Sequence, residues 1–498
     1  MRRSFLWGAF IALAVAVLSP GIAFAHGFGD RYDLPVPLGL YVGGAGAAVG
    51  LSFVIAGFFV RGGAGEAYPR FNLLRLRPAR WLAHTTPLGL TKAASVVVFS
   101  IYIAAGLFGT ADPNHNLVPA MTWVFFWVGL AYFSAFVANI WALVNPWKIL
   151  YGWAESIFAR VSGGQLSRYE PYPQWLGAWP AVALFLGFAW VEVVYTRSSD
   201  PFNIATFALI YSLITFAGMF LYGRDVWLRN GEAFTIAFGF LAAFAPTEVR
   251  ARDAGGGWAV DDYELYAEAS EREWNLRPWG AGLLAAGGLS TSHAVMLVLM
   301  LSTVTFDGFT ETSAWVRILL TTQGWVTFFG ANAFTAVTTA GLIIAPVAFL
   351  AVFAFTAKLM AVASHSNVGV IELVRLFALS LVPIAIAYHV AHFLSFLLIQ
   401  GQRLIALISD PLGRGWDLFG TADTGVDVSI IDARLAWTTS IAAIVIGHVV
   451  AVYVAHTIAG RTFAGSTAAV RSQYPMLALM VGYTMISLWI VAQPIVET

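Results

Sequence analysis

Tyr388-His389-Val390-Ala391-His392 sets two imidazoles three residues apart within an apolar stretch. On a helix that spacing points both rings from one face, where they could hold a common ion. His448 and His293 fall near the middle of two other apolar stretches, and an ionisable side chain at membrane depth usually faces a protein interior or a water-filled cavity. Counting inward from the predicted outer helix ends puts His392 about 10 Å deep, His389 about 15 Å, and His293 and His448 about 17 to 20 Å. All four then share the outer half of the membrane. That depth permits one site, with His389 and His392 as ligands of a divalent transition metal (copper or zinc) and His448 or His293 as the third. The competing reading makes each histidine a hydrogen-bonding bridge between helices. His456 lies near an inner end and His84, His115 and His365 lie in loops, where solvation or capping accounts for them.

Carboxylates near the same predicted surface add a second group: Glu192, Asp200, Asp307 and Glu311. Thr305-Phe306-Asp307-Gly308-Phe309 puts an acid just beyond a predicted helix end with a glycine beside it. Asp307 or Glu192 could orient a ligand histidine or take a proton from a metal-bound water. The alternative is a helix-terminating turn at headgroup level. A third approach comes from the N-terminus, where Arg2 and Arg3, an apolar run over 5–18 and Ala23-Phe24-Ala25 read as a removable export signal, residues 1–25. Cleavage leaves His26 first, offering amine and imidazole to one ion, a chelate that copper favours. Asp30 and Asp33 follow closely, and Pro35 and Pro37 restrict how the segment bends. The other reading keeps the first 25 residues as a helix.

The elements that carry these residues follow from composition. With 59% hydrophobic, 15% aromatic and only 11% charged residues, and a mean hydropathy of +0.75, the chain's main solvent is lipid. Zero net charge without a basic tail argues against nucleic acid. The absence of cysteine removes disulfides, thiolate metal sites and a cysteine nucleophile. Nucleophile elbow, phosphate loop, dinucleotide fingerprint, HExxH and haem motifs are absent too, and Gly43-Gly44-Ala45-Gly46 reads as helix packing.

Ten stretches of the mature chain are long and apolar enough to cross about 30 Å of hydrocarbon: 38–60, 91–109, 120–144, 175–195, 204–222, 283–304, 336–357, 376–399, 435–457 and 476–492. The shorter stretch 233–245 reads as re-entrant or interfacial. Arg61, Arg70, Arg75, Arg77, Arg80, Lys148, Arg160, Arg168, Lys358, Arg461 and Arg471 then fall in inner loops, which places both mature termini outside. Residues 223–282 mix both charge signs around Gly255-Gly256-Gly257 and read as a solvated surface segment. The acidic, glycine-containing connection 400–434 could be a lid, or a wetted loop of turn residues. The expected architecture is an all-α polytopic bundle, a single membrane domain over 26–498.

His26-Gly27-Phe28-Gly29-Asp30-Arg31-Tyr32-Asp33-Leu34-Pro35-Val36-Pro37-Leu38, Phe306-Asp307-Gly308-Phe309 and Tyr388-His389-Val390-Ala391-His392 resemble a bacterial family of polytopic proteins known as fenitrothion hydrolase. The likeness extends over most of the chain. It implies hydrolysis of a small apolar organophosphorus triester with release of a nitrophenol, in the bacterial inner membrane, by an enzyme of two related subunits. A histidine-bound divalent metal fits such chemistry, because it acidifies water and polarises the phosphoryl bond. The residues by themselves leave open a metal-ion or proton transporter and a non-catalytic metal-binding subunit.

Overall fold

The computed structural model describes residues 32–59, 68–253, 255–285, 287–322, 324, 327–463 and 465–497. The expected signal segment, His26 and Asp30 lie outside the described residues. In chain order the principal helices are α1 (Leu38–Phe59), α2 (Thr85–Phe108), α3 (Leu117–Phe136), α4 (Pro146–Ser162), α5 (Trp179–Val193), α6 (Pro201–Tyr222), α7 (Ala233–Ala242), α8 (Thr291–Thr310), α9 (Ala333–Ala363), α10 (Val370–Gln400), α11 (Ala433–Thr462) and α12 (Ser466–Ile495). Apart from α4, α5 and α7 these are long and apolar enough to cross a membrane, nine helices among the described residues. Local sequence starts them. Pro201 opens α6 behind Asp200, whose carboxylate accepts from the backbone N–H of Phe202 and Asn203, and Asp432 caps α11 through Leu435 N.

Burial separates the centre of the bundle from its rim. In α8 and α10, 72% of the apolar window is buried inside the protein, against 11% in α2, whose remaining apolar surface is suited to lipid. The central helix α10 packs against α11 and α3, and α8 packs against α5 and α9. Small residues allow the closest of these approaches. A Cβ on Gly447 would lie 2.3 Å from Ala387 Cβ and 2.7 Å from Pro383 O, so only glycine lets α11 meet α10 there.

The short helix α7 departs from the interfacial expectation. Nearly every side chain from Ala233 to Ala242 is buried, and α3, α5, α8 and α10 surround it. An interfacial helix would show one wet face; this one has none. Its N-terminus is satisfied by the fully buried Glu232, which accepts from Phe234 N, Thr235 N, Thr235 Oγ1, Tyr211 Oη, Trp141 Nε1 and Asn145 Nδ2. Beyond its C-terminus Arg277 donates to Ala242 O and Ala245 O at 3.0 Å each.

Residues 223–282 are also more ordered than expected. They form strands β3 (Thr247–Arg252), β4 (Trp258–Val260) and β5 (Arg272–Leu276), which join β2 (Phe71–Asn72) in an antiparallel sheet of order β2-β5-β3-β4. Val249, Ala251, Tyr263 and Tyr266 make a small core with Ala83, Leu88 and Leu143. The sign mixture noted in the sequence is cross-strand pairing, as in Arg250–Glu273 and Arg252–Glu271. A separate parallel pair, β1 (Tyr32–Asp33) with β6 (Val496–Glu497), joins the two ends of the described chain. In the 400–434 connection Asp410, Asp417, Asp427 and Asp432 accept backbone N–H groups close to them in sequence, which is turn chemistry, and Leu412 O pins the loop to Thr110 N.

Glu248 ties this sheet to the helices. Its buried carboxylate accepts from Arg70 Nε at 2.6 Å, Tyr68 Oη at 2.8 Å and Arg277 Nη1 at 2.8 Å. Burial opposes its charge most strongly, but the hydrogen bonds of Arg70 and Tyr68 and the charges of Arg277 and Arg70 outweigh it and lower the pKa. A depressed carboxylate contributes stability above its unfolded value of about 4.3 and loses it as pH falls through the native value. The unfolding temperature of the detergent-solubilised protein should therefore exceed that of Glu248→Gln at neutral pH. The gap should close as pH falls below about 4; a constant gap would contradict this account.

Candidate functional site

His392 and Asp307 meet near the end of the bundle opposite the four-stranded sheet. His392 lies eight residues before Gln400 on α10, about 12 Å along the axis. Its Nε2–H donates to Asp307 Oδ2 at 2.9 Å. Both are withdrawn from solvent, with side-chain exposures of 6% and 22%. The expectation that Asp307 stands beyond a helix end needs correction, because α8 continues to Thr310 and holds Asp307 in its final turns. Gly308 serves a close approach rather than a stop. A Cβ there would fall 2.6 Å from Tyr388 Oη and 3.5 Å from His392 Nδ1.

Glu192 joins from the last turn of α5, within electrostatic reach of Asp307. Trp127 Nε1 faces the Glu192 carboxyl. Trp127 belongs to a π-helical run, Ala120–Gly129, closed by the i→i+5 bond from Leu130 N to Phe125 O. Such turns add a residue per bond relative to an α-helix, are rare, and recur at functional sites.

His389 sits three residues from His392 toward the sheet end, about 4.5 Å along α10, and is 7% exposed. Its ring is boxed by aromatics, with centroids 5.4 Å from Trp127, 5.5 Å from Tyr132 and 4.7 Å from Phe393. Tyr132 Oη donates to the carbonyl of His389 at 3.1 Å, which fixes the backbone behind the ring. Among the described residues neither imidazole nitrogen has a partner, a cost of about 1–3 kcal/mol for each such buried group. The ring borders an apolar-walled cavity of about 30 Å³.

His448 and His293 do not join this pair. His448 Nδ1–H donates to Ile444 O at 2.8 Å, and its ring faces Tyr483 at 5.8 Å. Tyr483 in turn bonds Thr305 Oγ1 at 2.5 Å. Because Gly447 abuts Pro383 and Ala387, His448 stands one to two turns from the level of His392. His293 corrects the expectation most clearly. Ser290 caps α8, so the helix starts at Thr291 and His293 falls in its first turn rather than mid-crossing. Its Nε2 lies 3.4 Å from Arg229 O, and 14 residues of helix, about 21 Å, separate it from Asp307. Asp200 is spent as the cap of α6, and His84 caps α2.

As a divalent-metal site these groups fit only in part. Among the described residues no group of three or more His, Asp or Glu gathers around one point, and Nε2 of His392 already holds Asp307. The chain shows no significant match to any protein-family model, curated protein or solved structure.

Trp127, Tyr132 and Tyr388 escaped sequence reasoning, since aromatic residues in apolar helices read as core. The one available signal was Gly308 next to Asp307, which marks a helix surface that something must approach. Gly308→Ala should force Tyr388 or His392 to move and cost about 1–3 kcal/mol. Gly187→Ala in α5 meets nothing within 4 Å among the described residues and should be neutral or stabilising by up to about 1 kcal/mol. Thermal unfolding in detergent reads both signs, and ¹⁵N-histidine spectra should shift at His392 in the first variant only.

Proposed function

We propose that the protein is a membrane-embedded hydrolase of small apolar organophosphorus triesters, the activity implied by its resemblance to fenitrothion hydrolase. The observation that carries this reading is the His392–Asp307 hydrogen bond within the helical bundle. With His392 hydrogen-bonded to Asp307, its imidazole acts as the general base, and the carboxylate stabilises the imidazolium that forms. Water attacks phosphorus, its proton passes to His392, a new P–O bond forms and the aryl–O–P bond breaks to release the nitrophenolate. Such a leaving group departs as an anion and needs no acid. Apolar triesters concentrate in lipid, so a site between helices receives them from the bilayer.

A divalent ion would need a further donor from outside the described residues, and His26 is the one expected from the sequence. Transport is the second reading, supported by Glu192 and Asp307 interacting within the bundle, since paired intramembrane acids also mark ion and proton paths. Hydrolysis predicts nitrophenol release by the purified, detergent-solubilised protein, reduced roughly 10²- to 10⁴-fold in His392→Ala and Asp307→Asn. Uptake by sealed vesicles without any release would favour transport instead.

We also infer ten crossings, adding α5, whose 15 residues reach about 22 Å, with α7 re-entrant, the first 25 residues removed and both mature termini periplasmic. The chain has no cysteine, so single cysteines report topology without background. A membrane-impermeant maleimide should label Gly420→Cys but not Gly256→Cys in intact spheroplasts, and N-terminal sequencing should begin at His26. The reverse labelling pattern would invert the topology.

A further inference from the structure

The cavity beside His389 lies among α3, α8 and α10, with Trp127, Ala131, Tyr132, Met300 and Ala385 in its wall. A cavity lined only by carbon stays dry, whereas a water is held where it finds polar partners and roughly 10–15 Å³ of room. This one has about 30 Å³, and His389 and Trp127 are among the residues that line it. Among the described residues His389 Nδ1 and Nε2 are buried without a partner, and Trp127 Nε1 faces the Glu192 carboxyl. A neutral imidazole offers one donor and one acceptor. Its complement is a small molecule that both donates and accepts, and the volume limits it to one or two waters.

We propose that this cavity is an ordered-water site, held by His389, which supplies the attacking water to the His392–Asp307 pair. The supply role rests on the hydrolase reading; the water site does not. His389 is here a positioning residue, since it acts on the reaction through the water it orients. Trp127, whose Nε1 lies near Glu192, connects the cavity wall to the carboxylates. Trp127 lies within the π-helical run.

Solid-state NMR on ¹⁵N-histidine-labelled full-length protein in lipid bilayers tests the site without reference to activity, with His389→Asn used to assign the resonances. Magnetisation should transfer from water protons to the His389 nitrogens in the wild type. It should fall at least several-fold in Ala385→Leu, which fills the cavity, and Ala131→Val provides a second filling variant if the first does not fold. Absence of water contact at His389 in the wild type, or an undiminished contact in a folded filling variant, would overturn the proposal. If water contact is present and no triester is cleaved, the water site stands and the hydrolase reading fails. If triester is cleaved, the filling variants should lower kcat more than they raise KM, and an unchanged kcat would remove the supply role.

Discussion

Hydrocarbon offers no hydrogen-bond partner, so a polar group carried into a helical membrane bundle must be satisfied by the protein or by water the protein encloses. This constraint organises the described structure. Glu232 is the fullest case: a carboxylate at 0% exposure serves two backbone N–H groups of α7 and the side chains of Tyr211, Trp141, Asn145 and Thr235. Arg277 closes the other end of the same helix and reaches Glu248 in the sheet. A ten-residue helix could not hold itself in the bundle by hydrophobicity alone, because its free ends would be orphaned. The acid and the base at its ends make it possible.

Against that background, some of the groups around His392 are incompletely served. Asp307 and His392 bond one another, but among the described residues His389 and Tyr388 retain buried polar atoms without partners. Unsatisfied buried groups are costly, and next to a buried acid–imidazole pair such a cost can serve a ligand or a reaction. The same neighbourhood contains the π-helical run and the Gly308 contact with Tyr388. Local irregularity and unmet hydrogen bonding thus coincide with the intramembrane carboxylates, and this is why the site is assigned here and not at the aspartate-containing 400–434 connection, whose aspartates meet their needs within their own turns.

Close approach of backbones is the second requirement. Gly447 brings α11 against α10, and Gly308 brings α8 against the ring of Tyr388. In lipid, packing of this kind replaces the hydrophobic drive that joins helices in water. It also fixes side-chain positions more tightly than long flexible residues would. The dyad consequently sits between two of the most enclosed helices, α8 and α10.

Hydropathy made the long helices legible, because about 20 apolar residues have few other stable uses. The pairing of Asp307 with His392 was foreseen only as a possible orienting contact, from an acid near one predicted helix end and a histidine near another. Capping misled in both directions: Ser290 starts α8 late enough to move His293 out of the middle, while Gly308 continues the helix it was expected to end. The β2–β5 pairing was hidden because its partners, Phe71–Asn72 and Arg272–Leu276, are about 200 residues apart. From sequence alone came the solvent, the approximate spans and the residue types able to do chemistry, since each of these is set by local composition and period. Tertiary structure alone decided which of those residues meet, because a helix's rotation and start point are fixed by packing and caps contributed by distant parts of the chain.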